Sequence, residues 1–343
     1  MTQEKEGQTV DWYRSPLPPG VSKSLHMRSD AKAWAQSLGY LAVIVATGSL
    51  AFYSSGHWPI PVTIALTFLH GIGYAFQINA VHELGHGTVF RTKIFNRIFV
   101  RIFAFLGWIN FEVFEKSHAR HHRYTLHPPD DLEVVLPIRI LMKQFILQST
   151  FHPMWFWETV TRTFRVARGK FNTEWERTIF PEDDPERSRD AIVWARILLI
   201  GHALILVVSL YFHWWMLPVL VSLAPFYGGW LQFLCNNTQH NGLQDNVPDF
   251  RLCCRTFTVN PVVQFLYWHM NFHIEHHMFA AVPCYNLAKL HKQIQHDLPP
   301  SPHGLVATWK EIAAIQKQQE ADPSFQYRAP IPSSSAGLAG YQT

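Results

Sequence analysis

Two long stretches of this chain carry no charged side chain. Residues 33–81 and 197–244 each lack Asp, Glu, Lys and Arg. A transmembrane helix needs about 20 apolar residues, so each stretch is long enough for two helices and a tight turn. Turn signals lie near the middle of both stretches: Ser, Gly and Pro residues at 54–61, and a segment at 212–218 that ends in Pro218. The pattern predicts four transmembrane helices in two hairpins, at 34–54, 60–81, 195–213 and 217–236.

The composition supports an integral membrane protein. Charged residues make up 16% of the chain, against about 25% in a typical soluble protein. The soluble alternative, a pair of buried core hairpins, would have to bury two uncharged stretches of this length. The net charge of +4 suits an anionic cytoplasmic membrane surface. No basic stripe interleaved with aromatic residues is present, so we expect no nucleic-acid partner.

The positions of the basic residues predict the orientation. All 29 Lys and Arg residues lie in 1–32, in 91–196 or after 250, and the two short turns carry none. By the positive-inside rule, both termini and the long middle segment face the cytoplasm. The first thirty residues are polar, so no cleavable signal peptide is predicted. We expect a multi-pass protein of the endoplasmic reticulum membrane in a eukaryote, or of the inner membrane in a bacterium.

The segments between and beyond the predicted hairpins are amphipathic or polar. Residues 90–114 combine many Ile and Phe side chains with an opposing row of Arg and Lys, which predicts a helix lying in the membrane interface. A shallow re-entrant hairpin is the alternative. Residues 135–150 and 152–168 have a similar character. The predicted organisation is a flexible arm at 1–30, a membrane domain at 31–300, and a C-terminal helix with a disordered tail at 301–343.

Three histidine motifs provide the candidate chemistry. Side chains at i, i+3 and i+4 share one face of a helix. Two pentads have this spacing, and a histidine pair at i, i+4 precedes both of them. The eight histidines are His82, His86, His118, His121, His122, His273, His276 and His277. Imidazole binds zinc, copper, iron and nickel, and eight imidazoles exceed what one ion needs. The predicted helices place all three motifs on the cytoplasmic side, so the sequence predicts a two-metal site there.

Other histidines and the cysteines are interpreted as structural. His70 falls inside the second predicted helix, and we interpret it as a hydrogen-bonded packing residue. The four cysteines lack a paired C-x-x-C pattern, so we predict free thiols rather than a zinc site.

The order H-x-x-x-H, H-x-x-H-H, H-x-x-H-H on four membrane helices resembles the membrane fatty acid desaturase and hydroxylase family. The resemblance extends from about residue 40 to 300. It continues through Thr125 and the acidic pair Asp130 and Asp131 after the second motif. After the third motif it continues through residues 277–283.

The resemblance implies a di-iron site and indicates which residues would form it. The eight motif histidines would bind two iron ions, with His240 as a ninth ligand. Asn236, four residues before it, would reach a metal through water. Asp130, Asp131, Glu83 and Glu275 are candidates for carboxylates that orient ligating imidazoles. These residues would form a histidine-rich di-iron cap on the cytoplasmic side, in an otherwise all-α integral membrane fold.

The implied activity is O2-dependent oxidation of unactivated C–H bonds in a lipid or acyl chain. Desaturation to a C=C bond is favoured, and hydroxylation or ketolation of a lipid, carotenoid or secondary metabolite is the alternative. The chain carries no fused haem domain, flavin motif or ferredoxin cysteine set. Electrons would therefore come from a separate b-type cytochrome or ferredoxin on the cytoplasmic face, where the basic surface suits an acidic donor.

Two alternative functions, a zinc protease and a metal carrier, have less support than the di-iron oxidase. His82-Glu-Leu-Gly-His86 is also H-E-x-x-H, the signature of zinc proteases, with Glu83 as general base. That reading leaves both pentads without a role. A membrane metal carrier usually places its ligands at the bilayer midplane, whereas these histidines follow the predicted helix ends.

Overall fold

Helices account for the regular structure of this protein. The computed structural model describes residues 9–332, and within that range the backbone forms helices, turns and isolated bridges. The α-helices, numbered in chain order, are α1 Pro19–Leu25, α2 Asp30–His57, α3 Ile60–Tyr74, α4 Gln77–Gly85, α5 Lys93–Leu106, α6 Phe111–Tyr124, α7 Met142–Ser149, α8 Pro153–Ala167, α9 Glu174–Ile179, α10 Pro185–Phe212, α11 Met216–Leu220, α12 Trp230–Asn236, α13 Phe250–Cys253, α14 Pro261–Leu266, α15 His273–Met278, α16 Cys284–Ile294 and α17 Gly304–Ala321. Short 3-10 turns lie at Ala224–Phe226 and Gln295–Asp297.

Three helices among the described residues are long and apolar enough to cross a membrane. They are α2, the combined Ile60–Gly85 helix formed by α3 and α4, and α10. At 1.5 Å per residue, a 28-residue helix such as α2 or α10 reaches about 42 Å, more than the roughly 30 Å hydrocarbon core. The helices predicted at 34–54, 60–81 and 195–213 are therefore confirmed as helices.

These long helices begin earlier than hydropathy predicts because their caps lie in polar sequence. The Ser29 side chain accepts a hydrogen bond from the Lys32 amide, and Asp30 occupies the first turn of α2. At the start of α10, Asp184 caps the Arg187 amide and Pro185 stands at the first helical position. Both arrangements satisfy amide groups that a helix start leaves unpaired.

The continuous helix predicted at 217–236 is wrong. The segment forms α11, a 3-10 turn and α12, with irregular backbone between them. Pro225 cannot donate the backbone hydrogen bond that a continuous helix requires. Gly228 has a φ of +68°, a left-handed conformation that ends any regular helix. The hydropathy pattern did not reveal the break because every residue of the segment is uncharged.

Side chains of neighbouring segments form hydrogen bonds with the polar backbone of this broken segment. His70 Nε2 lies 2.9 Å from the Leu220 carbonyl oxygen, and the Tyr74 hydroxyl donates to Val221 at 3.1 Å. The Trp108 indole donates to the Ser222 carbonyl at 2.9 Å. These partners matter because an unpaired backbone group in an apolar environment costs several kcal/mol. The prediction of His70 as a hydrogen-bonded packing residue is confirmed.

Substituting Gly228 by alanine is expected to destabilise the fold. A Cβ at this position would lie 2.9 Å from the Phe68 carbonyl oxygen, and the positive φ adds strain. We expect a cost of about 1–3 kcal/mol, seen as a lower apparent melting temperature of the detergent-solubilised protein. Gly56→Ala is the matched control, because a Cβ there meets no atom within 4 Å among the described residues. Equal melting of the two variants would contradict the role given to Gly228.

The segment predicted at 90–114 forms α5 and the start of α6. The 14 residues of α5 reach about 21 Å, too short to cross the hydrocarbon core. One face of α5 is buried through Phe99, Val100 and Phe103, while Ile94 and Ile98 are exposed. An exposed apolar row on a short helix is typical of contact with lipid.

Both terminal segments lie against the region that carries the histidine motifs. The Tyr13 amide donates to the Pro248 carbonyl at 3.0 Å, and the Ser15 hydroxyl donates to Asp297 at 2.6 Å. In α17, the Trp309 indole donates to the Leu234 carbonyl at 3.2 Å. Residues 1–8 of the predicted arm and 333–343 of the predicted tail lie outside the described residues. The predicted division into three regions stays a prediction.

Candidate metal centre

Four parts of the chain bring the nine predicted histidine ligands into one buried region. His82 and His86 come from the end of α4, the second motif from α6, and the third from α15. His240 lies in the loop after α12. Seven of the nine are buried, and only His86 and His122 are half-exposed. Helical spacing brings the members of each motif together, and packing between helices brings the motifs together.

The first histidine group has five members. It consists of His82, His86, His118, His122 and His276, and one ligand atom from each lies within 4.8 Å of all the others. The Nε2 atoms of His122 and His276 approach to 3.1 Å. No described residue supplies a hydrogen bond to Nε2 of His82, His86 or His118. Buried polar atoms are normally paired, so these converging nitrogens fit a bound cation.

The second group combines three histidines with one cysteine. It consists of His240, Cys254, His273 and His277, again with ligand atoms within 4.8 Å of one another. Nε2 of His240 lies 3.0 Å from Nε2 of His273. His121 lies beside this group, with its ring centroid 5.1 Å from that of His240 and 5.0 Å from that of His277. The arrangement fits a second metal ion next to the first.

Carboxylates and one carbonyl hold the outer nitrogen of several of these rings. Glu83 lies 3.0 Å from Nδ1 of His82, and Asp131 lies 2.8 Å from Nδ1 of His121. The Cys253 carbonyl oxygen accepts from Nδ1 of His240 at 2.7 Å. In metalloproteins, such contacts fix the tautomer of a ligating histidine and direct its other ring nitrogen toward the ion. Glu83 also lies 3.4 Å from Nδ1 of His276, close enough for an ion pair but without a hydrogen bond.

Glu133 is an orienting carboxylate that was not among the predicted residues. Its Oε1 lies 2.8 Å from Nδ1 of His118, and the Ser117 hydroxyl donates to its other oxygen. Asp130, predicted for this role, instead pairs with Arg120 at 3.4 Å. The only signal in the sequence is a third acidic residue shortly after the predicted pair, and spacing alone does not show which one turns toward a ring.

The other predicted outer residues take different positions. Glu275 is fully buried, accepts a hydrogen bond from Thr256 at 2.5 Å and pairs with His291. Asn236 is exposed at the end of α12, and its predicted contact with a metal through water stays a prediction. Cys254 is a group member that the sequence did not suggest, because it lacks a neighbouring C-x-x-C. None of the four cysteines forms a disulfide, but the place of Cys254 in the second group departs from the prediction that the cysteines are purely structural.

Burial keeps most of these imidazoles neutral, which is the form that binds metal. Desolvation, with the nearby His82, lowers the pKa of His86 to about 4. Desolvation, with the nearby His121, lowers the pKa of His240 to about 3. His121 differs: burial lowers its pKa, but the hydrogen bond to Asp131 and the charge of Glu133 outweigh burial and raise it.

Replacing Glu133 by glutamine is expected to weaken metal binding without unfolding the protein. The amide keeps the size of the side chain but removes the negative charge that orients His118. Loss of such a partner typically costs about 10–100-fold in metal affinity or activity. Iron competition with a chelator measures the change. Asp130→Asn is the matched control, because Asp130 contacts Arg120 rather than a ligand ring; similar iron affinity in both variants would contradict the assignment.

Comparison with known proteins agrees with this geometry. The family model described as Fatty acid desaturase matches residues 56–309, well over half of the chain. A similar protein is the sphingolipid delta(4)-desaturase DES1-like protein of Arabidopsis thaliana. It is 25% identical over 254 residues, which cover 73% of this chain and 68% of the relative. The matched region contains all three histidine motifs and His240, and the chain belongs to the fatty acid desaturase family.

Proposed function

We propose that this protein is a membrane-bound, O2-dependent di-iron oxidase that introduces a C=C bond into a lipid or acyl chain. The observation that supports the proposal most is the convergence of five histidines in one group and three histidines with Cys254 in a second. Two adjacent imidazole-rich groups suit iron with positions left open for dioxygen. The nine predicted histidines would hold the metals, with His121 joining the second group.

Two bound iron ions would supply the redox chemistry with dioxygen that removes two hydrogen atoms from adjacent carbon atoms. The chain's own residues keep that chemistry in place. Glu83, Asp131 and Glu133 hold the outer ring nitrogens, so the imidazoles cannot turn away. Burial of most of the predicted ligand rings would restrict the access of water to the metals. Hydroxylation by the same site remains the second candidate, because it needs only a different placement of the substrate.

We propose a long-chain lipid as substrate class. The Arabidopsis relative is named for sphingolipids and for the delta(4) position, which makes a sphingolipid a first choice among lipids. The exposed surfaces of α2 and α10 are rich in large apolar side chains, including Val45, Leu204 and Val207. A substrate dissolved in the bilayer would approach the buried site along such surfaces.

We propose that α2 with α3 forms one membrane hairpin, and that α10 with residues 216–236 forms the second. The last crossing would be the broken segment described above, with its backbone satisfied by neighbouring side chains. The distribution of basic residues supports a cytoplasmic location for the histidine groups. The membrane would be the endoplasmic reticulum in a eukaryote or the inner membrane in a bacterium.

The decisive test is metal content combined with product analysis. The detergent-purified full-length chain should contain about two iron ions, as eight or nine imidazole ligands require. Incubation with lipid substrates, O2 and a reduced b-type cytochrome or ferredoxin should then yield an alkene. An alcohol would select the hydroxylase. One zinc ion and no iron would overturn the proposal.

Glu83 separates this function from a zinc protease. In a protease of the H-E-x-x-H type, Glu83 would act as general base on a metal-bound water, so Glu83→Gln would remove all activity and leave zinc bound. In this structure Glu83 contacts the outer nitrogens of His82 and His276. We therefore expect Glu83→Gln to weaken iron binding by about 10–100-fold. Unchanged metal affinity with complete loss of activity would favour the protease.

A further inference from the structure

The metal-binding region is reached from outside through a vestibule beneath the N-terminal segment. The vestibule has a volume of about 240 Å³ and is lined by Trp12, Arg14, His26, His122, Phe250, His277 and residues 278–281. Two of the predicted ligands, His122 and His277, form part of its wall. Most drug-sized ligand pockets measure about 300–1,000 Å³, so the space is small for a lipid headgroup.

The two ligands in the wall belong to different groups. His122 is in the first group and His277 is in the second. Their rings stack with centroids 4.3 Å apart and an interplanar angle of 19°. A molecule that contacts this wall would therefore touch one predicted ligand of each metal.

An aromatic series connects this wall to the surface. The ring of Phe250 lies 5.3 Å from that of His277, and Trp12 stacks on Phe250 at 4.0 Å with an interplanar angle of 9°. Phe250 is buried, whereas Trp12 is half-exposed. The Trp12 indole donates to the Arg123 carbonyl at 2.9 Å, which fixes the ring in place. Electron transfer weakens steeply with distance, so closely packed rings between surface and metal favour it.

The surface around Trp12 carries exposed basic side chains. Arg14 and Arg123 are both exposed, and Asp11 is the exposed acidic residue next to Trp12. The segment is held from below by the Tyr13 hydroxyl, which donates to Asp297 at 2.8 Å. A basic rim around a fixed aromatic ring is complementary to an acidic protein surface and speeds its association.

We infer that electrons enter through Trp12, Phe250 and His277, and that an acidic one-electron carrier protein docks over Trp12, Arg14 and Arg123. The inference rests on the proposed di-iron function and adds the position of the electron donor. Each encounter would oxidise one reduced haem or iron–sulfur centre of the carrier and reduce one ferric ion to ferrous. Two encounters would prepare the site for dioxygen. Such transient redox encounters need only a small interface.

Stopped-flow reduction of the iron-loaded full-length protein, without oxygen, tests this inference. The reduced soluble haem domain of a b-type cytochrome and a reduced [2Fe–2S] ferredoxin are used separately, and dithionite serves as a small reductant that needs no docking site. Arg14→Glu combined with Arg123→Glu should lower the bimolecular rate by about tenfold and flatten its dependence on salt. The equilibrium affinity of the carrier for the protein should fall in parallel.

Trp12→Leu should instead lower the limiting rate at saturating carrier and leave the carrier's affinity nearly unchanged, and Trp12→Phe should restore most of that rate. Arg189→Glu and Trp157→Leu are the matched controls, since both residues are exposed on α10 and α8. Iron content and melting temperature identify any variant that fails to fold. Dithionite should reduce every folded variant at the wild-type rate.

Wild-type rates with both carriers in the Arg14/Arg123 and Trp12 variants would overturn the inference while the di-iron function stood. If the purified protein contains no iron that dithionite can reduce, the proposed function is wrong, and this inference falls with it.

Discussion

Replacing His276 by alanine is expected to remove iron from the first group and to abolish product formation. His276 is fully buried, and its ring centroid lies 4.7 Å from that of His82 and 4.8 Å from that of His122. Its loss leaves a gap in the middle of the group and frees Glu83 from one of its two rings. We expect iron to fall from about two ions per chain to one or fewer. The activity loss should exceed the roughly 10–100-fold expected for an outer partner.

His57→Ala is the matched control for this change. His57 is exposed at the C-terminal end of α2, where its ring stacks on that of Tyr53 at 4.0 Å. The control should keep its iron and its activity. Elemental analysis and Mössbauer spectroscopy measure both metal content and valence. Two irons retained in His276→Ala would show that this histidine is not a ligand.

Replacing Arg251 by alanine is expected to cause the largest loss of stability outside the metal centre. The side chain is completely buried, pairs with Asp249 at 2.8 Å and with Asp297 at 2.7 Å, and stacks beneath Tyr13 at 3.7 Å. Removing it takes a buried ion pair away from both Asp249 and Asp297. Breaking a buried ion pair in this way costs about 3–5 kcal/mol. The apparent melting temperature of the solubilised protein measures the loss.

The same network raises the pKa of the Tyr13 hydroxyl. Burial and the hydrogen bond to Asp297 raise the pKa of Tyr13 to about 12, although Arg251 opposes the shift.

Arg189→Ala is the control for Arg251→Ala, because the ion pair of Arg189 with Glu186 is exposed and 3.7 Å long. Surface pairs contribute about 0–1 kcal/mol. If Arg251→Ala and Arg189→Ala had the same apparent melting temperature, the buried network would not be what stabilises the packing of residues 9–18.

Hydropathy located the long helices but not their ends or their continuity. The stretch at 195–213 became Pro185–Phe212, because Asp184 and Pro185 start the helix within charged sequence. The stretch at 217–236 had the composition of a helix and did not form a continuous one. Its break depends on Gly228 packing against Phe68 and on hydrogen bonds from α3 and α10. Such contacts join residues far apart in the sequence, so no local pattern contains them.

The sequence by itself determined which histidines share a helix face, because i, i+3 and i+4 spacing follows from helix geometry alone. Only the tertiary structure decided how those faces meet. It divided the histidines into two groups, added Cys254 to the second, and turned Glu133 rather than Asp130 toward His118. It also laid Trp12 over Phe250, from a segment more than 230 residues away along the chain. Spacing is a property of the chain, whereas the partner of each side chain is set by packing between distant segments.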